Sequence, residues 1–137
     1  MAYPGLILAN AALGEGVETH LFFTFWGFDI IRKATMASLG FTPLANPAAH
    51  MPAILAGMPG MQALATRMMR NKIDALDVPP IPEMLDDIVD AGGHLWACHM
   101  SMEMNDLKID DLHPGIEGVL NASAFIDVTV GAQTLFI

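Results

Sequence analysis

The chain has 137 residues and carries 15 acids against 6 lysines and arginines, a formal charge of −9. That length is expected to make one domain, residues 1–137, with a sizeable core. The acidic balance excludes a surface built to neutralise a nucleic-acid backbone. One cysteine excludes an internal disulfide, and with no signal peptide recognised at the start, a reducing cytoplasm is the expected compartment.

The run from Pro4 to Leu13, rich in alanine and leucine, predicts a helix ending at Gly14. The aromatic stretch His20 to Phe25 predicts a strand buried on both faces, as in a parallel sheet between helices. Gly27 is expected to turn the chain into a helix over Phe28 to Met36, with Phe28, Ile31 and, less strictly, Ile30 inward. Phe22, Phe23, Phe25 and Trp26 read as core aromatics, Trp26 being the one best placed to line a pocket.

Between Lys33 and Arg67 the sequence has no Asp, Glu, Lys or Arg. Four prolines and three glycines break this window, so its backbone could not satisfy its own hydrogen bonds in lipid. No transmembrane segment is expected. The window reads instead as an apolar cover over a site or subunit contact, with Met51 to Met69 at or near a homo-oligomer interface. A helix over Met61 to Asn71 closes it, its last turn basic through Arg67, Arg70 and Lys72.

Val78 to Pro82 reads as a stiff connector. A helix over Glu83 to Asp90, stopped by Gly92-Gly93, leads into a short buried strand, His94 to Cys98. A helical or looping piece runs on to Leu112, with Ser101 expected to cap a helix starting just after it. Met100, Met102 and Met104 alternate at strand spacing, so this piece is expected to begin extended. Glu117 to Leu120 reads as a brief strand, Ser123 to Gly131 as a helix and Gln133 to Ile137 as a terminal strand. The alternation predicts an α/β domain of three layers with a mostly parallel sheet, whose sites gather at the C-terminal strand ends.

Cys98 sits at one such end, where backbone N–H groups at a helix start would favour the thiolate. The alternative is a small, packed, inert cysteine. His94 and Cys98 lie about 13 Å apart on a strand, too far to share an ion, so no metal is expected. No glycine-rich phosphate loop or nucleophile-elbow sequence is present, so no nucleotide cofactor and no serine hydrolase are expected. The uneven charge, with twelve of fifteen acids between Asp74 and Asp127, reads as a solvated face or a docking face for a basic partner.

The segments Phe22 to Gly27, the Met- and Gly-rich middle, Ala97-Cys98-His99-Met100-Ser101-Met102 and Thr134 to Ile137 together resemble the DsrE-like (DsrE/DsrF/DsrH) family. Its DsrE2-type sulfur-carrier branch is the most similar. The resemblance covers essentially the whole chain. It implies an α/β/α fold, oligomers, and a persulfide held on Cys98 and exchanged with rhodanese-like and TusA-like carriers acting as sulfur donor and acceptor. His99, Ser101 and Trp26 are the expected supporting residues. The activity class is that of a sulfurtransferase or sulfur carrier without a cofactor. The alternative is a non-catalytic oligomeric module that binds a small molecule or protein, with Cys98 merely packed. A flavin- or nicotinamide-dependent redox protein is the weaker third choice. One departure stands out: family members open with an apolar strand, whereas Met1 falls where the first helix begins. A native start upstream of Met1 is therefore expected, with a strand that would stabilise the sheet.

Overall fold

In this computed structural model the described residues are 2–40 and 60–137, side chains at positions 61, 62 and 74 excepted. They fall into two compact units, Met1–Ala37 with Pro80–Ile137, and Ser38–Pro79. The expectations placed on residues 41–59, including the apolar cover and an interface through Met51 and Met58, lie outside the described residues. The helices are α1 (Ala2–Gly14), α2 (Met61–Asp74), α3 (Ile81–Asp90), α4 (His99–Met104) and α5 (Ala122–Val128). The strands are β1 (His20–Phe23), β2 (His94–Cys98) and β3 (Ile116–Leu120).

The first unit holds an open, all-parallel sheet in the order β1-β2-β3. The pleat sorts its residues. Leu21 and Phe23 of β1 lie beside Leu95 and Ala97 of β2, and the latter two are fully buried. Against this face α3 presents Ile81, Met84, Leu85 and Ile88, an i, i+3, i+4, i+7 stripe, while α1 packs on α3 and buries Leu6 and Ala9. His20 and Phe22 lie beside His94 and Trp96 on the other face, where Phe22 stacks on Phe125 of α5 at 4.7 Å. Helix, sheet and helix therefore form the three layers expected of an α/β fold. Only Phe23 of β1 is buried, so this strand is not enclosed on both faces. It is an edge of the described sheet, and α5 meets it through the Phe22–Phe125 stack.

Several boundaries differ from those expected, each for a local reason. Helix α3 begins inside the proline run, with Pro80 extended as N-cap (φ −64°, ψ 155°) and Pro82 in the first turn. Proline is tolerated there because the first-turn N–H groups have no helical partner to lose. The stretch expected as a helix from Phe28 is instead a 3-10 helix, Phe25–Ile30. Beyond it, the Ile31 carbonyl accepts the His113 N–H at 2.8 Å and the Lys33 N–H reaches the Asp111 carbonyl at 3.0 Å, around an Arg32–Leu112 bridge. Backbone groups committed to residues 111–113 cannot continue a helix. Phe28 and Ile31 are nonetheless buried, as expected.

Residues 99–104 are helical rather than extended, despite the alternating methionines. Helix α5 is capped by the Asn121 side chain, which accepts the Ala124 N–H at 2.8 Å, and it ends at Val128. Gln133 to Ile137 forms no strand. Ile137 Cδ1 lies 3.6 Å from where a Cβ on Gly5 of α1 would be, while Leu135 and Phe136 are exposed.

In the second unit α2 extends three residues past the expected Asn71, and Arg70 donates to the Leu39 carbonyl at 3.3 Å. No helix among the described residues is long and apolar enough to cross a membrane.

His113 is buried in the first unit, where its backbone N–H donates to the Ile31 carbonyl. Its Nδ1 accepts the Gly115 N–H at 3.1 Å, which leaves the proton on Nε2, 3.2 Å from Asp86. Burial lowers its pKa below the usual 6.5, and Lys33 adds to this, against a smaller upward pull from Asp86. The unfolded chain therefore binds a proton more readily than the native one as pH falls through 6.5, and stability is lost on the acid side of that point. Thermal melts below pH 6.5 should show a steeper decline for the parent than for His113→Gln.

Candidate functional site

Strand β2 ends on Cys98, which is also the N-cap of α4, with extended backbone (φ −76°, ψ 123°). Two short elements close around it. One is α4 itself, whose inward residue Ser101 is only 1% exposed. The other is the turn after β1, the strand beside β2. There Thr24 Oγ1 lies 3.4 Å from Ser101 Oγ, and the Phe25 N–H donates to Ser101 Oγ at 2.8 Å. Ser101 thus lies inside the helix at its third residue. It does not cap a helix beginning after it, as the sequence had suggested, because its hydroxyl is already engaged with the β1 turn.

Cys98 is 5% exposed, yet its surroundings are polar. Burial pushes the thiol pKa up. Hydrogen bonds from the Thr24 hydroxyl, the Ser101 N–H and hydroxyl and the Met100 N–H outweigh that effect, so the net result lies below the ordinary 9.0. Since the Phe25 N–H occupies one Ser101 lone pair, the Ser101 proton is free to point at sulfur. These neighbouring groups favour the thiolate, the form that acts as nucleophile. The sign for stability follows. The native state releases the Cys98 proton more readily than the unfolded chain, so its contribution appears as pH rises through the folded value and is complete above 9.0.

Of the sequence-derived site residues, Cys98 and Ser101 are brought together. His99 opens α4 with its ring half-exposed, and its Nδ1 faces Glu103 at 3.4 Å. Trp26 is 91% exposed, and Phe25 is more than half exposed. This overturns their reading as core aromatics. The strand stops at Phe23, and Phe25 takes a left-handed conformation (φ 46°) that swings both rings away from the sheet. Such a backbone costs a bulky residue about 1–3 kcal/mol, and the 2.8 Å bond to Ser101 helps hold it. With Met100 and Met104, exposed one turn apart on α4, these rings give both elements around the thiol an apolar outer surface.

Sequence reasoning missed Thr24. Its position one residue past the end of β1, beside the strand that ends on the cysteine, was the available signal. It also missed a histidine pair at the opposite end of the sheet, where ligand-type atoms of Glu18, His20 and His94 lie within 4.8 Å of one another.

Comparison with known proteins gives a match to the DsrE/DsrF/DrsH-like family over residues 1–136. The sulfur carrier protein DsrE2 of Allochromatium vinosum is 33% identical over 134 residues, 92% of this chain and 82% of the relative. The uncharacterized protein YrkE of Bacillus subtilis is 26% identical over 141 residues, 99% of this chain and 88% of the relative.

Proposed function

The chain belongs to the DsrE/DsrF/DrsH-like family, and from that premise we propose that it is a sulfur relay carrying a persulfide on Cys98. The observation that carries this reading is the placement of Cys98 at the end of β2 and the start of α4, beside the linked Thr24 and Ser101 hydroxyls, a setting that lowers the thiol pKa. The 33% identity to a protein named as a sulfur carrier supports it.

The chemistry is two displacements. The Cys98 thiolate attacks the outer sulfur of a donor persulfide, the donor S–S bond breaks, and the donor leaves as a thiolate. An acceptor thiolate then attacks the outer sulfur on Cys98 and releases the Cys98 thiolate. No net oxidation occurs, and each step is of the same kind as thiol–disulfide exchange. Thr24 and Ser101 stabilise the leaving Cys98 thiolate in the second step. The partners are donor and acceptor proteins of the rhodanese-like and TusA-like kinds, docking on the apolar surface of Phe25, Trp26, Met100 and Met104. A lone thiol with this role belongs in the reducing cytoplasm. The whole chain acts as one functional domain, and the exposed Val130, Leu135 and Phe136 favour a homo-oligomer.

The 5% exposure of Cys98 favours a second reading, a binding module in which the thiol is only packed. Alkylation of the native protein separates the two. A relay thiol is expected to react with iodoacetamide at neutral pH without unfolding. A packed one would react only at the rate of global unfolding, which would overturn the relay.

A further inference from the structure

We propose that Glu18, His20 and His94 form a binding site for a divalent transition metal of the zinc class, separate from the thiol. The site is made by register. His20 opens β1, His94 opens β2, and the two are direct partners across the parallel pair. Glu18, just before β1, places a carboxylate oxygen 3.1 Å from His20 Nε2, and the two rings stack at 4.5 Å with 16° between planes, so capture of one ion by both imidazoles requires one ring to turn out of the stack. One ligand atom from each of the three residues falls within a 4.8 Å cluster. Two imidazoles and a carboxylate are a donor set that suits zinc and its neighbours, with a fourth position left for water.

A second feature orients the set. The β2–β3 register slips between Leu95 and Trp96, so that Leu95 faces Ile116 but Trp96 faces Gly118. Glu117 is the extra residue of this bulge, and its carboxylate lies 2.6 Å from His94 Nδ1. A carboxylate only accepts, so Nδ1 carries the proton and Nε2 keeps its lone pair. This is the carboxylate–histidine arrangement found behind metal ligands.

His20 is held the other way. The Trp96 indole N–H, a donor only, reaches His20 Nδ1 at 3.2 Å, so the His20 proton sits on Nε2 toward Glu18. Metal capture at Nε2 therefore moves that proton to Nδ1 and breaks the Trp96 bond, making Trp96 a reporter of occupancy. The site lies about 13 Å along β2 from Cys98, at about 3.3 Å per residue, and ties the starts of β1 and β2 together.

The test uses Cys98→Ser, which removes the thiol as a competing ligand, combined with Trp26→Phe, which leaves Trp96 as the only tryptophan. Titration with Zn²⁺ should show one saturable equivalent by calorimetry, a change in Trp96 emission at the same stoichiometry, and a raised melting temperature. Glu117→Gln should weaken binding by about 10–100-fold, and Glu18→Gln by at least about tenfold. His94→Gln should abolish it. The Glu18 side chain is 78% exposed, so its replacement tests the site without threatening the fold. No saturable binding, or an affinity unchanged by both Glu18→Gln and Glu117→Gln, would overturn the proposal.

Discussion

Ser101→Ala is expected to destabilise the protein by about 1 kcal/mol, the cost of leaving the Phe25 N–H without its acceptor in a part-buried site. At this size that corresponds to a fall in Tm of about 2–6 °C per kcal/mol. The same change removes one of the donors that lower the Cys98 pKa, so the thiol should titrate closer to 9.0 and alkylate more slowly at neutral pH. Thr24→Val separates the two effects. It removes the Thr24 hydroxyl that favours the Cys98 thiolate but leaves the 2.8 Å Phe25–Ser101 bond intact. Thr24→Val should therefore slow alkylation with a smaller loss of Tm. The checks are the pH dependence of iodoacetamide reaction and thermal melts of both variants. If Ser101→Ala reacts with the parent's pH profile, the donors do not tune the thiol.

Gly93→Ala is expected to be costly for a different reason. Gly92 takes φ 87° at the end of α3, and the Gly93 N–H returns to the Ile88 carbonyl at 2.8 Å, with the Gly92 N–H on Val89 at 2.9 Å. These are the paired bonds of a Schellman cap. A Cβ on Gly93 would lie 2.6 Å from Ile88 Cγ2, 2.9 Å from the Ile88 carbonyl oxygen and 2.9 Å from Leu13 Cδ1. The carbonyl cannot retreat without loosening the cap, and Ile88 is fully buried. Overpacking of this kind costs about 1–3 kcal/mol or more. Because Gly93 immediately precedes β2, the displacement also passes into the strand that carries Cys98. Denaturant melts should show a clear loss for Gly93→Ala; a midpoint equal to the parent's would mean that α1 and α3 are not packed this closely.

Much of this architecture was legible in the sequence because single segments dictate it. His94 to Cys98 formed the strand expected from five residues of apolar pattern after a double-glycine stop, and the alanine-rich first helix ended where glycine predicted. Failures came where distant segments compete for the same backbone groups. The helix expected at Phe28 gave way because residues 111–113 take the hydrogen bonds of residues 31–33. The terminal apolar run forms no strand, and its last residue, Ile137, comes near Gly5 of α1. The thiol itself was legible as the only cysteine at a strand end. Its neighbours were half legible: Ser101 lies three residues away, but Thr24 arrives from the turn after β1, 74 positions earlier, through sheet order alone. The His20–His94 pair was hidden for the same reason, since only the strand register brings those rings together.

A relay requires that sulfur enter and leave through Cys98. Intact mass of the native protein, taken after polysulfide treatment and again after addition of an acceptor thiol, reads both steps. The parent should gain about 32 Da per sulfur and return to its starting mass as the acceptor gains the same increment, while Cys98→Ser should show no gain. An equal gain in Cys98→Ser, or a parent that takes up no sulfur while folded, would contradict the relay.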